Sequence, residues 1–207
     1  MNKTIGIFGG GQLGRMMAQA ALPLNLQCTF FETTTDCPAA KLGPVFATQD
    51  PQGLQDFIAS ADVFSLEFEN TPVAYVDVLT QSKTLYPPRL ALATAQHRLA
   101  EKQLFDELKI PVAPYRAVDS VDSLKQAVTD LGLPIVLKTA TGGYDGKGQF
   151  VLRSVDQIGT AWAELGPAKS LIAESFVHFS REVSVIAVRG QTGEVKTWAL
   201  AENHHHH

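Results

Sequence analysis

Cysteine is scarce in this sequence: two among 207 residues, Cys28 and Cys37, nine positions apart and with no partnering His/Cys spacing. That scarcity argues against a disulfide framework or a structural zinc site and fits thiols kept reduced. No apolar run reaches the roughly 18 residues that a membrane-spanning helix needs. Met1–Lys3 leads straight into the strand-length run Thr4–Phe8, without the longer apolar segment and cleavage site of a signal peptide. A cytoplasmic protein with no membrane partner is the expectation. Neither sign of charge dominates: the net charge is −4, which argues against a general nucleic-acid binder. It leaves anionic small molecules open, because a few lysines and main-chain N–H groups suffice to hold a phosphate. Low-complexity tracts are absent and the hydrophobic share is an ordinary 45%, so the chain should fold, as one large domain or two small ones.

The first ninety residues alternate short apolar runs with helical stretches. Strands are predicted at Thr4–Phe8, Gln27–Phe31, Val45–Ala47 and Val63–Leu66, with a last short one at Leu85-Tyr86. Helices are predicted at Gln12–Leu22, Pro51–Ser60 and Pro72–Ser82. Such alternation implies a parallel sheet covered by helices on both faces. Pro87-Pro88 closes this unit, a helix follows at His97–Leu108, and Pro111 and Pro114 lead into a second, strand-rich α+β region. There, strands are expected at Tyr115–Val118, Ile135–Lys138, Gln149–Leu152, Leu171–Glu174, Glu182–Arg189 and Val195–Ala201, and helices at Val121–Leu131 and Val155–Leu165.

Two glycine clusters stand out. Gly9, Gly11 and Gly14 match G-x-G-x-x-G directly after a strand and at the start of a helix, and Glu32 ends the second strand where a dinucleotide-binding protein keeps its ribose-binding acid. Three readings stay open for this turn: nicotinamide dinucleotide binding, a phosphate-bearing substrate, or a tight turn that is purely structural. In the second cluster, Lys138 ends an apolar strand and precedes a loop carrying Gly142, Gly143, Gly146 and Gly148 with a second lysine, Lys147. Glycines let N–H groups approach triphosphate oxygens and the lysines supply positive charge. The Walker pattern is not matched. The competing reading is a flexible hairpin with a solvated lysine.

The stretch Lys138–Gln149, with Gly-Tyr-Asp-Gly-Lys-Gly-Gln at its end, is followed by Glu174-Ser175-Phe176-Val177 and Arg181-Glu182. This series resembles the ATP-grasp fold. Gly9–Met16, Glu67-Phe68-Glu69-Asn70, the segment from Arg98 to Pro114 and Ala201-Glu202-Asn203 followed by histidine further resemble the 5-(carboxyamino)imidazole ribonucleotide synthase family. The resemblance spans essentially the whole chain. It implies an α/β protein: a parallel-sheet βα pre-ATP-grasp domain (1–92), a linker helix with a small ATP-grasp subdomain (93–178), and the start of a larger subdomain (179–207), an α+β ATP-grasp domain left incomplete.

The same resemblance implies an ATP-dependent carbon–nitrogen ligase that carboxylates aminoimidazole ribonucleotide with bicarbonate in purine biosynthesis. Arg98 and Lys138 would contact the ATP phosphates, with Gly143, Tyr144, Asp145, Gly146, Lys147, Gly148 and Gln149 closing over them. Glu174, Ser175, Phe176 and Val177 would read the adenine edge through their backbone, Glu182 would hold the ribose hydroxyls, and His205 would add a nucleotide contact. Gln12, Glu69, Tyr144, Asp145 and Lys147 match the acceptor side, with Asp145 and Lys147 the candidate catalytic pair. Mg2+ would bridge the phosphates through ligands beyond residue 207, and a homodimer is the implied assembly.

Each assignment has a plainer counterpart. Glu182 could be a surface charge, and Glu67 and Glu69, which share a side of an extended segment, could form a solvated strand end. Arg98 could pair with Glu101, whereas Lys102, one position further along, offers Arg98 no partner. Other whole-chain readings are a sister ATP-grasp enzyme such as glycinamide ribonucleotide transformylase or biotin carboxylase, an NAD-dependent oxidoreductase, and a non-catalytic nucleotide sensor. His204–His207 read either as an affinity tag on a shortened chain or as native histidines at an arbitrary cut; both lead to the expectation of a fragment that is inactive alone.

Overall fold

The computed structural model describes residues 3–142, 148–166 and 170–204. Its first unit is a four-stranded parallel sheet of β1 (Thr4–Phe8), β2 (Gln27–Glu32), β3 (Val45–Ala47) and β4 (Val63–Leu66), in the order β3-β2-β1-β4. Helices α1 (Gln12–Ala21), α2 (Gly53–Ala59) and α3 (Val73–Leu79) connect or follow these strands. The two faces of the sheet are built from different residues. One carries Phe8, Phe31, Phe57 and Phe64 with Val76 and Leu79; the other carries Ile7, Phe30 and Cys28 with Ala18 and Ala21 of α1. Phe57 is the hub of the aromatic side, its ring centroid 5.1 Å from those of Phe8 and Phe64 and 5.4 Å from that of Phe31. Such edge-to-face and offset packing adds to the burial of these large side chains.

Leu85 forms only a single bridge to Phe64, so the expected last strand at Leu85-Tyr86 does not form. The chain there is leaving the sheet for Pro87-Pro88, which cannot extend a ladder. A helix that the sequence reading passed over, α4 (Arg89–Ala95), starts directly after Pro88. Proline before a first turn is a common helix start, and α4 buries only Leu92, which is why periodicity did not announce it.

Helix α5 (Arg98–Glu107) then leads to a second sheet, β5 (Tyr115–Val118), β6 (Ile135–Thr139), β7 (Gln149–Leu152) and β8 (Leu171–Ser175). Its order is β5-β8-β6-β7 and all its pairs are antiparallel. Helices α6 (Val121–Leu131) and α7 (Ile158–Leu165) pack on one face. A reciprocal Ser120/Ser123 capping box starts α6, and Gly132 at φ +72° ends it. The expected helix at 155–165 begins instead with a 3-10 turn, Val155–Gln157.

The last segment forms β9 (Glu182–Ser184), β10 (Ala187–Arg189), β11 (Val195–Thr197) and β12 (Ala201–Asn203), with β9 paired to β12 and β10 to β11. The sequence reading expected two long strands. The ladder breaks between the two pairings, although Trp198 N–H still donates to Ile186 O at 3.0 Å. Val185, Ile186, Val188, Trp198 and Leu200 are exposed, so no core holds these strands straight. Among the described residues no helix is long and apolar enough to cross a membrane.

Candidate functional site

The side-chain alternation of the second sheet separates a packed face from a polar one. Ile135, Leu137, Leu171, Ala173, Val118 and Leu152 point into the core under α6 and α7. Val136, Lys138, Ile172 and Glu174 therefore share the opposite face. Val136 lies directly across from Glu174, which makes Lys138 and Glu174 diagonal neighbours on adjacent strands, within reach of long side chains. Glu174 Oε2 accepts a hydrogen bond from Lys138 Nζ, and its other oxygen, Oε1, accepts from Lys102 Nζ at 2.8 Å. Glu174 is buried, a position where a lone carboxylate would be costly. Burial pushes its carboxyl up, and the hydrogen bonds and charges of Lys102 and Lys138 outweigh that effect, holding the group below its ordinary value.

Helix α5 contributes two residues to this face, Arg98 and Lys102, four apart and so on one side of the helix. Arg98 Nη1 donates to Thr139 O at 2.7 Å and Gly142 O at 2.6 Å, and Arg98 N–H donates to Ala140 O at 2.8 Å. Arg98 thus grips the end of β6 and the mouth of the glycine loop. Gly142 at φ +64° and Gly148 at φ +72° flank that loop in the left-handed region that favours glycine. Gly143, Tyr144, Asp145, Gly146 and Lys147 lie outside the described residues, as does His205.

At the end of β8, Ser175 N–H donates to Pro114 O at 2.9 Å and Phe176 N–H to Pro134 O at 3.1 Å. Val177 is exposed, and no acceptor among the described residues takes its N–H. Glu182 starts β9, where its Oε1 accepts from Asn203 Nδ2 at 3.1 Å.

The first glycine cluster is organised differently. Gly9 N–H donates to Phe31 O at 3.0 Å, Gly10 N–H to Glu32 Oε2 at 2.9 Å and Gly11 N–H to Glu67 Oε2 at 2.8 Å. The anions served by this turn are the protein's own carboxylates. Glu32 Oε1 is engaged as well, by Thr33 N–H and Oγ1 at 2.6 and 2.8 Å, so the residue that a dinucleotide reading would make the ribose-binding acid is a clamp on the backbone. Burial raises the Glu32 carboxyl and these hydrogen bonds lower it further than burial raises it, leaving it below the ordinary value. Glycine is required here by contact: a Cβ on Gly14 would stand 2.6 Å from Glu67 Oε2 and 2.8 Å from Gly9 O. The purely structural reading of the turn therefore accounts for the N–H groups of all three leading glycines.

Beside the turn, at the carboxyl ends of the strands, lies a cavity of about 360 Å³ lined by Phe8, Phe31, Glu32, Glu67, Asn70 and Tyr75, among others. Gln12 and Glu69, expected on the acceptor side, do not line it; Glu69 Oε1 accepts from Asn70 Nδ2 at 3.3 Å. Glu67 and Glu69 were expected to act from one side, but Glu67 turns in under Gly11 while Glu69 stays out. Lys102 is the member of the second site that the sequence reading missed. It was weighed only as a partner for Arg98, and its real partner is 72 residues further along the chain.

Residues 103–207 match the ATP-grasp domain family. The chain belongs to the ATP-grasp family. Residues 1–96 match the ribonucleotide synthetase preATP-grasp domain, which places the parallel sheet in front of the ATP-grasp domain. The chain is 44% identical over 207 residues to an N5-carboxyaminoimidazole ribonucleotide synthase of Brucella melitensis, covering 98% of this chain and 57% of that protein. Its structure is similar to that of an N5-carboxyaminoimidazole ribonucleotide synthetase from Thermus thermophilus, with a TM-score of 0.89 and 40% identity over 97% of this chain and 54% of the other. It is also similar to an N5-carboxyaminoimidazole synthetase from Staphylococcus aureus complexed with ADP, with a TM-score of 0.93 and 29% identity over 99% and 55% of the two chains. This ATP-grasp chain thus spans a little over half the length of the relatives it matches.

Proposed function

We propose that this chain carries the nucleotide-binding part of an enzyme that uses ATP and bicarbonate to carboxylate the exocyclic amine of aminoimidazole ribonucleotide, in purine biosynthesis. The observation that carries the reading is the polar face of the second sheet. There Lys138, at the end of the strand that leads into the glycine loop, is paired with a buried Glu174, and no acceptor among the described residues takes the N–H of Val177. The resemblance to N5-carboxyaminoimidazole ribonucleotide synthases over nearly the whole chain supports it.

In this proposal Lys138 contacts the ATP phosphates, and Arg98 joins it there while bracing the loop mouth. The loop 143–149 closes over the phosphates. Val177 N–H donates to the adenine edge, where Ser175 and Phe176 cannot, because their N–H groups tie β8 to Pro114 and Pro134. Glu182 and His205 complete the nucleotide contacts. On the acceptor side the proposal keeps Tyr144, Asp145 and Lys147 with Gln12 and Glu69, and adds the cavity beside Glu67. A homodimer is part of the same proposal. Among the described residues no three His, Cys, Asp or Glu side chains gather to hold a metal ion, so no step is assigned to Mg2+ within them.

Bicarbonate is a poor electrophile because its leaving group is hydroxide. Phosphoryl transfer from ATP gives carboxyphosphate, whose leaving group is phosphate, and the amine then takes the carboxyl group. The task of the protein is to hold charge in place and exclude water, so that the intermediate reaches the amine before it hydrolyses. The test is ADP release by the full-length protein, with aminoimidazole ribonucleotide and bicarbonate each present or omitted. Release that requires the ribonucleotide and disappears in Lys138→Ala supports the reading. Release driven by glycinamide ribonucleotide instead would keep an ATP-grasp ligase and discard this acceptor.

A further inference from the structure

We propose that Lys102 is a positioning residue for nucleotide binding: it holds Glu174 compensated so that Lys138 can pass from carboxylate to phosphate. The inference rests on the nucleotide reading of the Lys138 face given above. Its starting point is a division of labour within one carboxylate. Oε1 of Glu174 takes Lys102 and Oε2 takes Lys138, so two ammonium groups share a single negative charge and the cluster carries one excess positive charge. The three side chains differ in access: Glu174 is 10% exposed, Lys102 16% and Lys138 28%. The lysine nearer to solvent is the one at the strand end beside the glycine loop, and the more enclosed one comes from the helix behind.

Consider what a triphosphate arriving at that face requires. Lys138 must turn at least part of its ammonium toward the incoming anion, loosening its hold on Glu174. A buried carboxylate losing its partner resists that movement, because the uncompensated charge is costly in a poorly solvated place. With Lys102 on the other oxygen, Glu174 keeps a partner throughout. The excess positive charge of the cluster is then the charge that the nucleotide meets. Without Lys102, Lys138 and Glu174 form a closed neutral pair, and the phosphate has to compete with the carboxylate for the only lysine.

The geometry of α5 fits this role. Arg98 fixes the first turn of the helix to Thr139 O and Gly142 O, and Lys102 lies one turn on, so its reach to Glu174 is set by a helix already anchored at the site. Lys102 does not need to touch nucleotide; it acts through Glu174.

The experiment is ATP binding to the full-length protein by titration calorimetry, for the wild type, Lys102→Met, Lys102→Arg and the double variant Lys102→Met/Glu174→Gln, with the melting temperature of each recorded. The expectation is that Lys102→Met weakens ATP binding at least roughly tenfold, the effect of truncating one partner of a buried charge group. Lys102→Arg should restore most of the affinity, since it restores the charge. The double variant should also bind ATP more tightly than Lys102→Met alone, because a neutral amide at position 174 no longer captures Lys138. Neutralising Glu174 would raise the melting temperature and the affinity together if Lys102 merely braced α5, so affinity recovered without a matching gain in melting temperature separates positioning from support. Where Lys102→Met fails to fold, Lys102→Gln carries the same comparison. Unchanged ATP affinity in Lys102→Met, or a loss that Glu174→Gln does not relieve, overturns the inference while leaving the nucleotide reading intact. Wild-type protein that does not bind ATP overturns both.

Discussion

The two glycine clusters of this chain look alike in sequence, and the carboxylates beside them are used differently. In the first turn the N–H groups of Gly10 and Gly11 turn inward to Glu32 and Glu67, and the carboxylates serve as clamps on that turn. At Lys138 the charge is carried by side chains: one carboxylate is shared by two lysines, and Gly142 and Gly148, at the loop edges, hold left-handed backbone conformations. The difference teaches that a glycine pattern after a strand marks a backbone that must come close to something. What it comes close to is decided by residues distant in sequence. For the first cluster that residue is Glu67, 56 positions beyond Gly11. Beside the second, the lysine that precedes the glycines is held by Glu174, 36 positions beyond Lys138.

The largest expected effect breaks the first unit without touching the second. Phe57→Ala removes the hub of the aromatic core and should lower the unfolding free energy by about 3–5 kcal/mol, read from urea titration. ATP affinity per folded molecule should stay near the wild-type value; a large loss of affinity would mean that the two regions are not separable in this way. Next, Glu174→Ala leaves two lysines facing each other in a poorly solvated place and should cost about 3 kcal/mol of stability. A neutral outcome would show that the cluster is more hydrated than its burial indicates.

Glu32→Gln sharpens the contrast from the side of the first turn. The amide keeps an acceptor for Gly10 N–H but not the charge, for an expected loss of about 1–2 kcal/mol near neutral pH. The folded-state value of Glu32 is depressed, so its contribution is present above the ordinary carboxyl value of 4.5 and is lost as pH falls through the lower folded value. The stability gap between wild type and variant should therefore close on acidification below about pH 4.5, and a gap that persists at low pH would assign the effect to shape. The smallest effect is Ser120→Ala, which removes the cap of α6 and should cost about 1 kcal/mol while leaving both glycine clusters as they are.

Much of the fold was legible because its signals are local. The boundaries of β1, β3, β4, β5, β7 and α6 follow from short apolar runs bounded by glycine, proline or polar caps. Helix α4 was missed because it buries one leucine, and the 182–203 strands were overextended because exposed valines give the alternation of a strand without a core to hold it. At the site, Lys138, Arg98 and Glu174 were named through the family resemblance, and the folded chain brings them together around the end of β6. The partnership of Lys102 with Glu174 was not legible, since it joins a helix to a strand across the second sheet and depends on which oxygen Lys138 leaves available. The role of Glu67 was not legible: the sequence put it on one side of an extended segment with Glu69, and only the folded turn shows it bound to Gly11 N–H.

The most direct test of the contrast between the clusters is amide hydrogen exchange of the full-length protein with and without saturating ATP. Slowed exchange at Val177 and in the 138–149 segment, with Gly9–Gly14 unchanged, is the expected result. Protection appearing at Gly9–Gly14 while Val177 and the 138–149 segment exchange as before would contradict it, and would return the nucleotide to the first turn.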